Sequence, residues 1–157
     1  MSQISRKLSR KILFQRLYAD CFYKNSDTLF LQSFFEGKFN NEIDEAYISE
    51  MHSIILAKES EFLYIIKKFA PKFNITSMHL IYILPIFIGM AEMIYLKEEI
   101  PVKVSLNEGI ELAKIYADES GKRIVNGILN KIFENYENIK NDTEKEAYNK
   151  EFSFFIR

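Results

Sequence analysis

Within the first 24 residues Arg6, Lys7, Arg10, Lys11, Arg16 and Lys24 stand against one acid, Asp20, a local surplus of five positive charges. The whole chain carries a formal net charge of −1, so the remainder is slightly acidic. A cationic segment on a near-neutral chain points to a polyanionic partner. Steps of four and three residues stay on one helix face. From Lys7 that path passes Lys11, Phe14, Tyr18 and Cys21, and from Arg6 it passes Arg10, Leu13 and Leu17. The same azimuth is therefore basic for two turns and apolar afterwards. Unpaired charge is costly to bury, so Arg6, Lys7, Arg10 and Lys11 are expected together on an exposed, overhanging helix end. Cations at a helix N-terminus oppose the macrodipole, and an RNA backbone would compensate for that placement.

Other reactive residues are sparse. Cys21 is the single cysteine, which excludes an internal disulfide or a CxxC site, and His52 and His79 lack zinc-motif spacing. Gly121-Lys122-Arg123 has no upstream glycine of a phosphate-binding loop. The adjacent acids Asp44/Glu45 and Glu98/Glu99 fall on polar faces, where solvation explains them better than acid–base catalysis. We expect no enzyme, no cofactor and no metal. No apolar stretch follows the basic N-terminus, so no secretory leader is expected and the cytoplasm is the expected compartment. Leu80 to Leu96 is almost wholly apolar but short for a bilayer and holds Pro85, Gly89 and Glu92. A helix buried on all sides gives the same pattern, and that reading is preferred over a membrane span.

The elements that must position these residues read as helices. The 157 residues hold 5 Gly and 3 Pro, a sparse punctuation that suits long helices and short loops, and no alternating Val/Thr-rich run suggests a strand. The spacing predicts a first helix from about Ser5 to Lys24 and a short one from Ser26 to Phe35. A third begins at Asn40 or Asn41 and carries Ile43, Tyr47, Met51, Ile54 and Ile55, and a fourth covers Phe62 to Phe69 before Pro71. Thr76 or Ser77 can cap the apolar helix. Pro85 either delays its start to about Leu84 or kinks it, the kink being preferred. The next helix opens at a Ser105/Glu108 capping box or one turn earlier at Pro101, and a last runs from about Glu119 to Tyr136. The fold class is all-α, six to seven helices, with residues 1–139 as the domain and 140–157 as a charged and then aromatic extension. Four apolar residues among the last six predict docking of that end on the body, on a second copy, or in mimicry of a partner.

Three blocks carry a family resemblance. Val102-Lys103-Val104, Asn107-Glu108 and Ile110-Glu111-Leu112-Ala113-Lys114 precede Val125-Asn126-Gly127-Ile128-Leu129. Gln15-Arg16-Leu17-Tyr18 follows Arg6, Lys7 and Arg10, and Ala91-Glu92-Met93 forms a weaker third block. Over roughly Ser5 to Glu134 the chain resembles the NusB family of transcription antitermination factors. The resemblance implies two small packed helical bundles and an arginine-rich first helix that grips RNA. It implies non-catalytic binding of boxA RNA together with NusE, a small-subunit ribosomal protein, within the RNA polymerase antitermination complex. Carried onto this chain, RNA contacts fall to Arg6, Lys7, Arg10 and Lys11, with Lys122 and Arg123 lining the groove and Phe69 offering a stacking ring. Tyr18, Phe22 and Tyr82 fall where the family receives NusE. No membrane contact is implied, and the expected state is a monomer or weak homodimer.

Within the signature, Val104, Ile110, Leu112 and Ala113 read as core. Gly127 reads as a point of close helix approach, and Asn107 and Asn126 as backbone closure at element ends. The chain also departs from the family. Phe87 stands where the central helix usually carries an arginine, and Tyr82 where an acid is common. Ile124 replaces the aromatic before Val-Asn-Gly, and Ser120 an acidic position. These changes leave open an alternative, a NusB-fold protein–protein adapter with weak or non-specific RNA binding.

Overall fold

The computed structural model describes residues 5–23, 43–141 and 152–156. Its helices are α1 (Arg6–Asp20), α2 (Glu45–Phe69), α3 (Leu80–Tyr95), α4 (Val102–Tyr116), α5 (Glu119–Glu134) and α6 (Tyr136–Asn141), with a 3₁₀ turn at Ile75–Ser77. No strand occurs among the described residues, in keeping with the all-α expectation. The predicted helix from Ser26 to Phe35, and the proposed caps Asn40 and Asn41, lie outside them.

The apolar helix α3 organises the rest, packing against α1, α2, α4 and α5. Its residues 82–93 are all buried, as a helix surrounded by other helices requires. No described helix is long and apolar enough to cross a membrane. Pro85 neither delays α3 nor ends it. The helix runs through it, with Ile86, Phe87 and Ile88 buried immediately beyond. Side chains from every long helix and from the C-terminal segment join one apolar cluster, in which Phe62 and Phe87 are the largest fully buried residues.

Several boundaries differ from the sequence reading. The third and fourth predicted helices are one continuous element, α2, because Ile55, Glu59, Phe62 and Leu63 extend one buried face across the presumed break. Its N-cap is Asp44, whose side chain accepts from the Tyr47 N–H at 3.0 Å. His79, not Thr76 or Ser77, precedes α3. Of the two starts expected for α4, the structure takes the earlier, after Pro101, since Ser105 is buried inside the helix and donates to Glu92 rather than capping. Val104 is exposed, contrary to its core assignment. Close helix approach falls to Gly89 and Gly109, not Gly127. A β-carbon on Gly109 would lie 3.4 Å from the Gly89 Cα and 2.7 Å from a Leu129 methyl. Asn126 pairs with Asn130 within α5, and Asn107 is exposed, so neither closes an element end.

Candidate nucleic-acid interface and partner edge

Helix α1 begins on Ser5, whose hydroxyl accepts from the Leu8 N–H at 3.0 Å. Ser9 then ties α1 to α2. Its hydroxyl donates to the Ser5 carbonyl at 2.8 Å and accepts from the Asp44 N–H at 2.8 Å. Arg6 completes the junction, donating to Asp44 Oδ2 at 3.2 Å with its guanidinium carbon 4.4 Å from the Tyr47 ring centroid.

The expected overhang of four exposed cations is corrected at its third member. Arg10 is 4% exposed and forms a forked pair with Glu92 of α3, Nε to Oε2 at 2.7 Å and Nη2 to Oε1 at 3.0 Å. Its Nη1 lies 3.4 Å from Glu108 Oε2 on α4. Glu92 is 1% exposed and also accepts from the Tyr47 hydroxyl and, at 3.0 Å, from Ser105 Oγ. Both carboxylate oxygens thus have two donors, the condition under which a buried charge is tolerated. Burial alone would lower the Arg10 pKa, but the hydrogen bonds and charge of Glu92 outweigh it and raise it. Burial, then the neighbouring Glu92 charge, pushes the Tyr47 phenol up, so it stays protonated as a donor. The basic azimuth of α1 does not overhang. It faces acids on two other helices.

Lys7 is the cation that the structure leaves at the surface, with 72% of its side chain exposed and only a 3.9 Å contact to Glu108. Lys11 is partly exposed. Lys7, Arg10 and Lys11 line one side of an open groove of about 160 Å³, with Glu108, Glu111, Leu112 and Ile115 of α4 opposite. Arg6, Lys7, Arg10 and Lys11 are therefore brought together, although only part of that set is open to solvent.

Lys122 and Arg123 fall elsewhere. They lie in the first turns of α5, whose N-cap Asp118 accepts from the Gly121 N–H at 2.7 Å and from the Tyr82 hydroxyl at 2.7 Å. Those hydrogen bonds, the Tyr82 one foremost, hold Asp118 below the usual carboxylate range. Tyr82 sits in the first turn of α3 and Glu92, the anchor of Arg10, near its end. At 1.5 Å per residue they are about 15 Å apart along the helix. The α5 cations and the α1 cations thus flank opposite ends of α3. Lys122 bonds Glu119 at 2.7 Å, and Arg123 is exposed.

Phe69 ends α2, half-buried, with Lys68 Nζ 5.5 Å from its ring centroid. The sequence reading missed its companions. Lys72 Nζ lies 5.3 Å from the Phe73 ring, and a β-carbon on Gly127 would lie 3.6 Å from Phe73 Cζ. The run Lys67-Lys68-Phe69-Ala70-Pro71-Lys72-Phe73 carried that signal, cations interleaved with rings.

Tyr18 and Phe22, on the apolar azimuth of α1, are exposed, at 40% and 50%, and their ring centroids are 5.1 Å apart. Phe14 carries the series inward, stacked on Tyr116 of α4 at 4.0 Å. Tyr82 does not join this exposed edge. It is 7% exposed, and a β-carbon on Gly121 would come within 2.2 Å of its ring. Its ring packs on α5 and its hydroxyl bonds the α5 cap.

The NusB family model matches residues 6–134. A protein called transcription antitermination protein NusB from Clostridium acetobutylicum is 30% identical, over 85% of this chain and 98% of its own length. One of the same name from Alkaliphilus oremlandii is 31% identical over 83% and 94%, and one from Acetivibrio thermocellus 27% over 82% and 88%. No solved structure matches this chain. The blocks of α1, α3 and α4 that resembled the family are those that meet at Arg10, Glu92 and Glu108, and the chain belongs to the NusB family.

Proposed function

We propose that the protein is a non-catalytic transcription antitermination factor. It binds boxA-type single-stranded RNA together with NusE, the small-subunit ribosomal protein, and so supports rRNA transcription by RNA polymerase in the cytoplasm. The supporting observation is the N-terminal end of α1, where an exposed Lys7 stands beside Arg6 and Lys11 on a helix of a NusB-family chain. Arg6, Lys7 and Lys11 supply phosphate contacts. Arg10 holds these turns against α3 and α4 through Glu92 and Glu108. Lys122 and Arg123 extend the cationic surface at the other end of α3, and Phe69 with Lys68 offers a ring and a charge for a splayed base. Tyr18 and Phe22 receive the ribosomal protein.

Single-stranded RNA titrations at several salt concentrations test the phosphate assignment. Lys7→Ala is expected to make the dependence of log affinity on log salt shallower by ~0.7, the share of one phosphate contact. Its pair with Glu108 is long and Lys7 itself is exposed, so folding stability should not change. An unaltered slope in the variant removes Lys7 from the RNA track.

A further inference from the structure

Residues 152–156 lie beyond the family match and return to the body as a strap. Glu59, 2% exposed in the middle of α2, accepts from Ser153 Oγ at 2.5 Å and from the Phe154 N–H at 2.8 Å. Ser153 Oγ in turn accepts from the Phe155 N–H at 3.0 Å. Phe155 is 5% exposed, and the rings of Phe154 and Phe155 both meet Phe87, with centroids 6.1 and 6.2 Å away. The strap then reaches α1, where the Ile156 N–H donates to the carbonyl of Asp20, the last residue of that helix, at 2.8 Å. The Asp20 side chain is held by His52 of α2 at 2.5 Å. Burial first, then the neighbouring acids Asp20 and Glu59, pushes the Cys21 thiol up to about 12, so the thiol at this junction stays neutral. Immediately beyond come Phe22 and Tyr23, 50% and 69% exposed, with both N–H groups turned back onto the Ala19 carbonyl.

We propose that this C-terminal strap fixes the last turn of α1 and thereby sets the affinity of the Tyr18/Phe22 edge for its protein partner. The inference rests on the reading of that edge as the ribosomal-protein surface. A carbonyl at a helix C-terminus has no intrahelical donor, and here the strap supplies one to α1. The side chains of the edge project from the turn so capped, and an edge held in one conformation loses less freedom on binding. The RNA end of α1 is out of reach, because Lys7 and Asp20 are about 20 Å apart along the helix.

The test uses the full chain with Ile156→Pro, which deletes the donor to Asp20 at a half-exposed position, and Ser153→Ala, which deletes one bond to Glu59. Affinity is measured for the small-subunit ribosomal protein and, separately, for boxA-type RNA alone, with hydrogen exchange at the Phe22 and Tyr23 amides. Ile156→Pro is expected to weaken partner binding about fivefold, the worth of one hydrogen bond. It should speed exchange at both amides and leave RNA affinity unchanged, and Ser153→Ala should move the same way. Phe22→Ala serves as the control for the edge itself. Normal partner affinity in Ile156→Pro and Ser153→Ala, with weakened binding in Phe22→Ala, overturns the strap's role and spares the edge. No loss in any of the three overturns the edge reading and the inference together. Equal losses for partner and RNA indicate general loosening of the fold and also overturn it.

Discussion

Arg10→Met is expected to lower folding stability by about 3–5 kcal/mol, read from the urea midpoint, because it leaves the Glu92 carboxylate buried without its cation. Methionine fills much of the arginine stem's volume, so the loss comes from charge rather than from a cavity. Adding Glu92→Leu is expected to return part of that stability, since both charges then leave the interior. Recovery stays incomplete, because the Tyr47 and Ser105 hydroxyls lose their acceptor and each buried orphan costs about 1–3 kcal/mol. If Arg10→Met unfolds at the wild-type midpoint while losing RNA affinity, Arg10 is a surface RNA contact and the buried network has been misread.

Phe87→Arg installs the residue type that the family resemblance implies at this position, and in this chain it is expected to damage the fold. Phe87 is fully buried between Phe62 and the strap rings Phe154 and Phe155. Loss of the ring contacts together with a cation lacking a prepared partner is expected to cost on the order of 3–5 kcal/mol. Hydrogen exchange at the Phe154 amide should accelerate with it, as the strap loses its seat. A Phe87→Arg protein with unchanged stability and tighter RNA binding would show that the departure at this position is a lost RNA contact. In this structure the position is a strap contact: the Phe87 ring seats Phe154 and Phe155.

The sequence carried the fold further than it carried the site, for physical reasons visible at particular residues. Helical spacing from Phe14 to Cys21, the unbroken apolar run of α3 and the periodicity of α5 each arise from burial on one side or all sides, which a single segment records. The Arg10–Glu92 pair spans 82 residues, and no local pattern says which acid will meet which cation. The basic turns of α1 are legible as one azimuth, but what faces them is not. Glu92 and Glu108 arrive from two other helices and meet Arg10 there. Tyr82 misled in a similar way. Its place in the family pattern suggested a surface role, whereas Gly121 opens a space on α5 into which the ring packs. Tyr18 and Phe22 lie on an apolar azimuth that reads as core, and their exposure depends on which helices pack beside α1, which no local pattern records.

The proposed function turns on whether the chain distinguishes boxA RNA from other single strands. The direct measurement is a titration of matched and scrambled boxA RNA, with and without the small-subunit ribosomal protein, at two salt concentrations. The account predicts tighter binding of the matched RNA, a further gain when the ribosomal protein is present, and weakening of both as salt rises. Equal affinity for matched and scrambled RNA, with the ribosomal protein still bound, would contradict it and identify the chain as a protein adapter on a NusB fold.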